Sequence, residues 1–405
     1  MSNQIIIEDT LRASIISTLN EISPLPGSPR LFRYLAVING EHHHLSSGSG
    51  FSISREHAKS AAIGESVERY CANQFNMKDI YIGKYADISH QALNPTLITR
   101  YTNDQYKINT MYKEVDVNEP RAWVEAKDVV DNKKILVPFE LIFLTTPPSH
   151  LPLRDLISTG LACGQNLEKA ILSGINECIE RDAFVKFWLL GCVRGEIDLN
   201  TVHNEYVKRL LELAENSNLQ LRVYDISTDL EVPTILTVVK VKGNAGFYLG
   251  CASSLEYLHA IRKSIEEGLG GFSIYYELIK HYKEPIPKKL DLTSNLDDHP
   301  LYYLAGNNDE ILLQLLPNSI RKIAVEDRSV QFTDTVERIN RLGHKIYYSE
   351  ITTEDVKQMG LSVVRVIIPT LCFLSINDPL LNCPRLQETA AKLGRKINPE
   401  PHPFP

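Results

Sequence analysis

Two segments of this 405-residue sequence repeat the pattern Glu-x-x-Glu-Arg, and their side chains have clear chemical potential. The first segment contributes Glu65 and Glu68, and the second, 112 positions later, contributes Glu177 and Glu180. Glutamates three positions apart in a helix share one face, with Cβ atoms about 5–6 Å apart. Four such carboxylates brought together by two helices would raise each other's pKa or bind a cation. Hard, anionic oxygen ligands favour Mg2+, which usually also takes phosphate oxygens.

The residues around the two acidic pairs predict a duplicated turn and helix. Residues 46–50 and 158–164 are rich in small residues, and we expect each to be a flexible turn leading into a helix. Ser54 and Asn166 are suitable N-caps for these helices. Small residues on the acidic stripe of each helix would leave room for a ligand. The stripes read Ala58, Ala61, Glu65, Glu68 and Ala72 in one helix, and Ala170, Ser173, Glu177, Glu180 and Phe184 in the other.

A simpler interpretation of the acidic pairs remains open. The glutamates could be solvated, or could pair with Arg69 and Arg181 on their own helices, as exposed helical residues commonly do. Arg262 and Glu266, spaced i, i+4 on a third predicted helix that begins near Leu255, have the same two interpretations. They could form a surface ion pair, or the arginine could bind a phosphate through two hydrogen bonds.

The usual glycine-rich nucleotide motifs are absent from the sequence. Neither G-x-x-x-x-G-K-S/T nor a helix-opening G-x-G-x-x-G occurs. If the ligand is ATP, it would therefore be held through carboxylate-bound Mg2+ and arginine.

The C-terminal residues 398–405 alternate proline with other residues. Proline at positions 401, 403 and 405 favours an extended, stiff segment. A terminus of this composition could be disordered. It could instead dock in a groove through Phe404, at a reduced cost in entropy because it is already stiff.

Composition limits the function classes. The net charge of −7 argues against nucleic acid or an anionic membrane surface as the main partner. Seven cysteines without a C-x-x-C pair predict reduced thiols and a cytoplasmic protein, and the N-terminus lacks a signal-peptide pattern. The longest apolar stretch, 361–376, is interrupted by Arg365 and Pro369, which indicates a buried strand pair rather than a membrane span. Three adjacent histidines, 42–44, are not expected to bind metal together.

The order of predicted elements indicates one interleaved α/β (α+β) unit. Helical periodicity over residues 5–22 predicts an N-terminal helical extension, residues 1–30. Residues 31–405 would then form the main domain, which includes the proline-rich tail 398–405.

Taken in order, these motifs resemble those of the YcaO family over about residues 30–405. Residues 61–69 resemble the family's S-x-x-x-E-x-x-E-R motif, 173–181 its second acidic motif, and 262–266 its third. The ending Pro-His-Pro-Phe-Pro is similar to the family's P-x-P-x-P terminus.

Segments 158–162 and 180–184 are similar to the SagD-like branch, the azole-forming peptide maturases. The resemblance implies mixed and antiparallel sheets with flanking helices, and an ATP- and Mg2+-dependent cyclodehydratase. In this branch, a Cys, Ser or Thr side chain of a precursor peptide attacks the preceding carbonyl. The amide oxygen is phosphorylated by ATP and lost, which leaves a thiazoline or oxazoline.

The resemblance also implies roles for individual residues. The implied metal ligands are Glu65, Glu68, Glu177, Glu180 and Glu266. The implied nucleotide contacts are Ser173, Glu65, Glu68, Arg69, Glu177, Glu180, Arg262 and Glu266. The implied catalytic tail residues, which would approach the reacting amide, are Pro401, His402, Pro403 and Pro405. Either His402 or the terminal carboxylate would assist proton transfer.

Three positions depart from the family pattern. Ala61 replaces the usual serine, Leu269 stands where glutamine is frequent, and the Gly48-Ser49-Gly50 segment lacks a lysine. These departures leave open a weakened or non-catalytic scaffold subunit. A second alternative is an enzyme that forms a thioamide or amidine with an external sulfur or amine nucleophile.

The resemblance implies partners as well. They are a ribosomally made precursor peptide, an E1-like protein that binds its leader, and a flavin-dependent dehydrogenase that would oxidise the azoline. A homodimer is also compatible with the resemblance.

Overall fold

The computed structural model describes residues 15–39, 45–316, 319–325 and 327–405, which form three β-sheets with flanking helices. The strands are β1 (Ile16–Glu21), β2 (Phe32–Asn39), β3 (Leu45–Ser52), β4 (Tyr81–Lys84), β5 (Pro120–Asp128), β6 (Lys134–Pro138), β7 (Leu161–Gly164), β8 (Gly195–Ile197), β9 (Leu219–Asp225), β10 (Thr234–Val241), β11 (Tyr248–Ser253), β12 (Lys322–Ile323), β13 (Tyr347–Glu350) and β14 (Ser362–Ile367). The helices are α1 (Arg55–Ala72), α2 (Tyr85–Ile88), α3 (Asn103–Ile108), α4 (Leu167–Leu190), α5 (Glu205–Asn216), α6 (Tyr257–Glu277), α7 (Asp298–Leu304), α8 (Ile311–Leu315), α9 (Phe332–Arg341), α10 (Glu354–Gln358) and α11 (Pro384–Leu393).

The sheets confirm the predicted mixed α/β architecture. Their strand orders are β1-β2-β3, β11-β10-β9-β8-β12 and β4-β5-β13-β14-β7, with β6 paired to β5. Among the named strands, only β8 and β12 pair in parallel. Apolar side chains between the sheets and the helices form the main core clusters. In the described ranges, no helix is long and apolar enough to cross a membrane.

One edge strand of each sheet is followed by a long helix that packs against it. The three pairs are β3 with α1, β7 with α4, and β11 with α6. Glycine makes this close packing possible, because a β-carbon at Gly48 would lie 2.3 Å from the Ser66 backbone nitrogen. At Gly250 it would lie 2.3 Å from the Gly268 nitrogen. We call each pair a strand–helix unit.

Several sequence predictions agree with this fold. Helices α1 and α4 begin directly after their predicted N-caps, and the Ser54 side chain accepts a hydrogen bond from the His57 backbone nitrogen. Asn166 caps α4 in the same manner, through the Lys169 backbone nitrogen. Helix α6 begins at Tyr257, two residues later than expected.

Other predictions are wrong. The sequence predicts a helix over 5–22, but residues 16–21 form strand β1. Pairing with β2 overrides the local periodicity there. Residues 1–14 lie outside the described part of the chain. The expected flexible turn at 46–50 belongs to β3, and the end of the 158–164 turn is β7. The apolar stretch 361–376 contains one strand, β14, rather than two.

The pattern His42-His43-His44 lies outside the described residues. The division of the chain at residues 30 and 31 stays a prediction.

Candidate active site

Helices α1, α4 and α6 share a sequence pattern when each is counted from its first residue. The fourth and ninth residues are alanine and isoleucine in all three helices, and these side chains are buried. The eleventh residue is glutamate in each helix: Glu65, Glu177 and Glu267. The sequence repeat therefore has three copies, although the third lacks the second glutamate and the arginine.

Glutamate side chains connect each strand–helix unit to the next one. Glu68 of α1 accepts a hydrogen bond from the Cys163 nitrogen of β7 at 2.7 Å. Glu180 of α4 accepts one from the Ser253 nitrogen of β11 at 3.1 Å. Glu266 of α6 accepts one from the Ile53 nitrogen, just after β3, at 3.1 Å. The three units thus close into a cycle, with one carboxylate at each junction.

The other two glutamates of the Glu-x-x-Glu-Arg motifs bind backbone groups of their own units. Glu65 accepts a hydrogen bond from the Ser49 nitrogen of β3 at 2.5 Å. Glu177 accepts one from the Gly160 nitrogen, just before β7, at 3.1 Å. We call Glu65, Glu68, Glu177 and Glu180 the carboxylate cluster.

The arginines of the two motifs pair with glutamates of their own helices. Arg69 lies 2.7 Å from Glu65, and Arg181 lies 3.3 Å from Glu180 and 3.8 Å from Glu177. The simpler interpretation of the motifs is thus correct as far as these ion pairs go. The interpretation that the glutamates are simply solvated is wrong, because all four also accept hydrogen bonds from backbone N–H groups of strands or turns.

The electrostatics show a cluster short of positive charge. Burial, together with the charges of Glu177 and Glu65, raises the pKa of Glu68 from its usual 4.5 to about 8. Burial also raises the pKa of Glu177, and that of Glu180 to about 7. The pKa of Arg181 is raised as well, because the charges of Glu180 and Glu177 outweigh the effect of its burial.

The carboxylate cluster is better suited to Mg2+ that binds together with a phosphate group than to a metal ion held permanently by the protein alone. The donors are carboxylate oxygens, the type that Mg2+ prefers. No three His, Cys, Asp or Glu side chains in the described part of the chain are preassembled to hold a metal ion. Mg2+ at nucleotide sites needs only one or two carboxylates, with water and phosphate completing its shell. Arg262 Nε and Asn176 Oδ1 are buried without a hydrogen-bond partner, and they leave polar capacity for a ligand.

Arg262 and Glu266 lie at the junction between α6 and β3. The Arg262 guanidinium stacks on the Tyr206 ring at 4.8 Å, and the Tyr206 hydroxyl donates to Glu266. Ser173 and Ala61 are both exposed on the acidic faces of their helices. The roles predicted for these residues in nucleotide and metal binding stay predictions.

Sequence reasoning missed Lys263 and Glu267. Their side chains form an ion pair at 3.3 Å, and the charge of Lys263 lowers the pKa of Glu68, Glu177 and Glu180. A signal was available, because Ile265-x-Glu267 repeats the Ile-x-Glu of the other two helices.

One of the departures from the family pattern has a structural explanation. Leu269 is fully buried in an apolar core cluster, so its side chain does not line the carboxylate cluster. The missing lysine has no such explanation, although the glycines on both sides of Ser49 do: Gly48 and Gly50 lie in β3 against α1, where a β-carbon would overlap the helix backbone.

The C-terminal tail is docked rather than disordered. The Phe404 ring stacks on Phe184 of α4 with a centroid distance of 3.9 Å, and it lies 5.1 Å from the Arg181 guanidinium. The Trp188 indole donates to the Glu400 carbonyl at 2.8 Å. The tail therefore ends beside an arginine that contacts the carboxylate cluster.

His402 is buried within the docked tail. Its Nδ1 accepts from the Phe404 nitrogen at 3.2 Å, so its Nε2 carries the hydrogen and donates to the Ser375 carbonyl. His299 donates to the His402 carbonyl. Burial lowers the pKa of His402 to about 3, which keeps the ring neutral. These contacts favour a structural role for His402 over proton transfer. Pro405, the last residue of the tail, is exposed.

Comparisons with known proteins agree with this geometry. The family model described as YcaO cyclodehydratase, ATP- and Mg2+-binding, matches residues 49–372. A solved heterocyclase in complex with substrate and cofactor is similar, with a TM-score of 0.76 and 21% identity, over 98% of this chain and 57% of that chain. This chain therefore spans little more than half the length of that heterocyclase.

Two further solved structures share the fold. YcaO from Methanopyrus kandleri, bound with AMPPCP and Mg2+, has a TM-score of 0.63 and 18% identity, over 100% of this chain and 95% of that one. A chain of the E. coli microcin synthetase McbBCD complex has a TM-score of 0.62 and 16% identity, over 88% of each chain. With the family match over most of its length, this chain belongs to the YcaO family of ATP- and Mg2+-binding cyclodehydratases.

Proposed function

We propose that this protein uses ATP and Mg2+ to convert Cys, Ser or Thr residues of a ribosomal precursor peptide into thiazolines or oxazolines. The observation that carries the proposal is the carboxylate cluster, which is bound to three sheets and adjoins the docked tail through Arg181. A cluster of partly buried acids would supply a cation site, and Phe404 of the docked tail lies beside it.

Each part of the site has a distinct task in this proposal. Glu65, Glu68, Glu177 and Glu180 would hold Mg2+, with Glu266 beside them at the third junction. Ser173, Arg69 and Arg262 would contact the nucleotide. When bound, ATP would supply the phosphoryl group that makes the amide oxygen a leaving group, while Mg2+ neutralises phosphate charge. The protein would contribute mainly positioning and preorganised charge.

The tail would position the reacting amide. Pro401, Pro403 and the buried His402 fix the path of the backbone, which the Tyr303 hydroxyl also binds at the Pro401 carbonyl. The terminal carboxylate of Pro405 would then accept the proton of the attacking thiol or hydroxyl. His402 would act as a positioning residue, because both of its ring nitrogens are already hydrogen-bonded.

Partner proteins belong to the proposal. The similar heterocyclase is longer than this chain, and the McbBCD protein is solved as a complex. These two facts support partner subunits in general. The partners that the family resemblance implies are an E1-like protein that binds the precursor leader and a flavin-dependent dehydrogenase that oxidises the azoline. A homodimer and a cytoplasmic location are parts of the same proposal.

The test is an ATPase and mass assay with the precursor peptide and the leader-binding protein. The peptide should lose the mass of one water per azoline while ADP and phosphate accumulate, and Glu177→Gln should stop both reactions. Exchange of oxygen for sulfur in the product would identify thioamide formation instead. An absence of ATP turnover with the complete set of partners would identify a scaffold subunit and would overturn the proposal.

A further inference from the structure

Lys263 occupies a distinctive position in the three strand–helix units. It is the seventh residue of α6, as Ala61 is of α1 and Ser173 is of α4, and all three are exposed. Packing supports this alignment independently, because Gly48 abuts the eighth and twelfth residues of α1, and Gly250 those of α6. The seventh position lies one turn before the eleventh-position glutamate of each helix. Two of these glutamates, Glu65 and Glu177, belong to the carboxylate cluster, and Lys263 occupies the equivalent position in the third unit.

The charge of Lys263 acts on carboxylates from both other helices. It lowers the pKa of Glu68 of α1 and of Glu177 and Glu180 of α4. In return, the charge of its direct partner Glu267, and then the charges of Glu180 and Glu177, raise the pKa of Lys263. Lys263 is thus a cation shared by all three units.

Lys263 is also more exposed than Arg181 and Arg262. Its side chain is 47% exposed, against 23% for Arg181, and its ion pair with the 42% exposed Glu267 is 3.3 Å long. Arg262 is stacked on Tyr206. A lysine ammonium on a flexible stem can exchange a carboxylate for a phosphate oxygen without moving the helix.

We infer that Lys263 balances the carboxylate cluster before the nucleotide binds, and contacts the triphosphate of Mg2+-bound ATP afterwards. The inference rests on the proposed function, since it requires a Mg2+ nucleotide at the cluster. Arrival of Mg2+ replaces the positive charge that Lys263 supplied, and the triphosphate offers the displaced ammonium a new partner.

The experiment compares two affinities in Lys263→Met, Lys263→Arg and wild type. One is for Mn2+ alone, which stands in for Mg2+ and is followed by electron paramagnetic resonance. The other is for a non-hydrolysable ATP analogue with Mg2+, followed by calorimetry. Lys208→Met is the matched control, because Lys208 is 50% exposed and pairs with Glu205 within its own helix.

The two affinities should change in opposite directions in Lys263→Met. Mn2+ should bind about 3-fold more tightly, because a competing cation is gone. The nucleotide should bind about 10-fold more weakly, because a charged hydrogen bond is lost. Lys263→Arg should restore nucleotide affinity to near that of wild type, and Lys208→Met should leave both affinities unchanged.

The failures are distinguishable. Unchanged nucleotide affinity in Lys263→Met, with normal binding by wild type, would overturn this inference and leave the proposed function standing. Equal loss of both affinities would show a purely structural role and would also overturn it. An absence of nucleotide binding by wild type would overturn both.

Discussion

The two Glu-x-x-Glu-Arg motifs have nearly the same sequence but different surroundings. In α1, Arg69 is 43% exposed and donates to the Ser47 carbonyl at 2.9 Å, at the outer border of the site. In α4, Arg181 is 23% exposed and lies between Glu180 and the ring of Phe404. The two copies of the motif therefore have different roles. The α1 copy binds the cluster to β3, and the α4 copy connects it to the tail.

The largest expected effect is on the α4 glutamates. Glu180→Gln should lower azoline formation by about 100-fold or more, because it removes a buried charge from the proposed Mg2+ site. Glu65→Gln should lower azoline formation by only about 10-fold, because Glu65 is 31% exposed and solvent already screens part of its charge. Steady-state rates measured by peptide mass check this order. Equal losses of rate in Glu180→Gln and Glu65→Gln would contradict the different roles proposed for the two motifs.

Removal of the tail should separate chemistry from nucleotide binding. Deletion of residues 401–405 should reduce azoline formation by about 100-fold and nucleotide affinity by less than about 3-fold, because the tail contacts α4 rather than the carboxylates themselves. Phe404→Leu keeps an apolar side chain on Phe184 and serves as a milder variant with intermediate activity. Parallel loss of binding and turnover would show that the tail only stabilises the site.

Conservative replacement of the arginines should have a smaller, unequal effect. Arg181→Lys should lower turnover by about 10-fold, since lysine lacks the planar group that lies over Phe404 and reaches two glutamates. Arg69→Lys should cost about 2-fold, because its pair with Glu65 is largely solvated. Turnover with saturating ATP measures both variants. A larger effect at Arg69 would reverse the comparison.

The last expected effect is a pH-dependent change in stability rather than in activity. The pKa of Glu68 is raised from its usual 4.5 to about 8, so its burial in the ligand-free protein lowers the free energy of unfolding as pH rises from about 4.5 to 8. Glu68→Gln should remove this loss, which is at most about 5 kcal/mol. Urea unfolding without Mg2+ at pH 5 and pH 8 should show the variant gaining stability relative to wild type at pH 8.

The exposed Glu354→Gln is the control for that measurement, because the Glu354 side chain is 85% exposed. A difference between Glu68→Gln and wild type that does not change with pH would contradict the predicted burial of a carboxylate.

The sequence was most informative where the signals are local. The start of helix α4 could be predicted to the residue, because Asn166 caps it. The helix ends at Gly191, which adopts the left-handed conformation. The small residues of β3 were misleading, since they resemble a turn but serve close packing against α1. Strand β1 was missed because its structure depends on pairing with β2.

The candidate site shows the same limit. Spacing alone placed each glutamate pair on one face of its helix, and the family resemblance supplied the ligands. The hydrogen bonds from Glu68 to β7 and from Glu180 to β11 depend on how distant units assemble, which no local pattern contains. The docking of Phe404 on Phe184 joins positions 220 residues apart and depends on the same assembly.

Calorimetric titration of the ATP analogue, with and without Mg2+, into wild type and the double variant Glu68→Gln/Glu177→Gln addresses the central claim most directly. These two residues come from different helices and feel each other's charge. We predict binding to wild type that requires Mg2+, and a loss of at least about 100-fold in the double variant, provided that its melting temperature is unchanged. Equal, Mg2+-independent affinity in both proteins would contradict the claim that the carboxylates of α1 and α4 form one cation and nucleotide site.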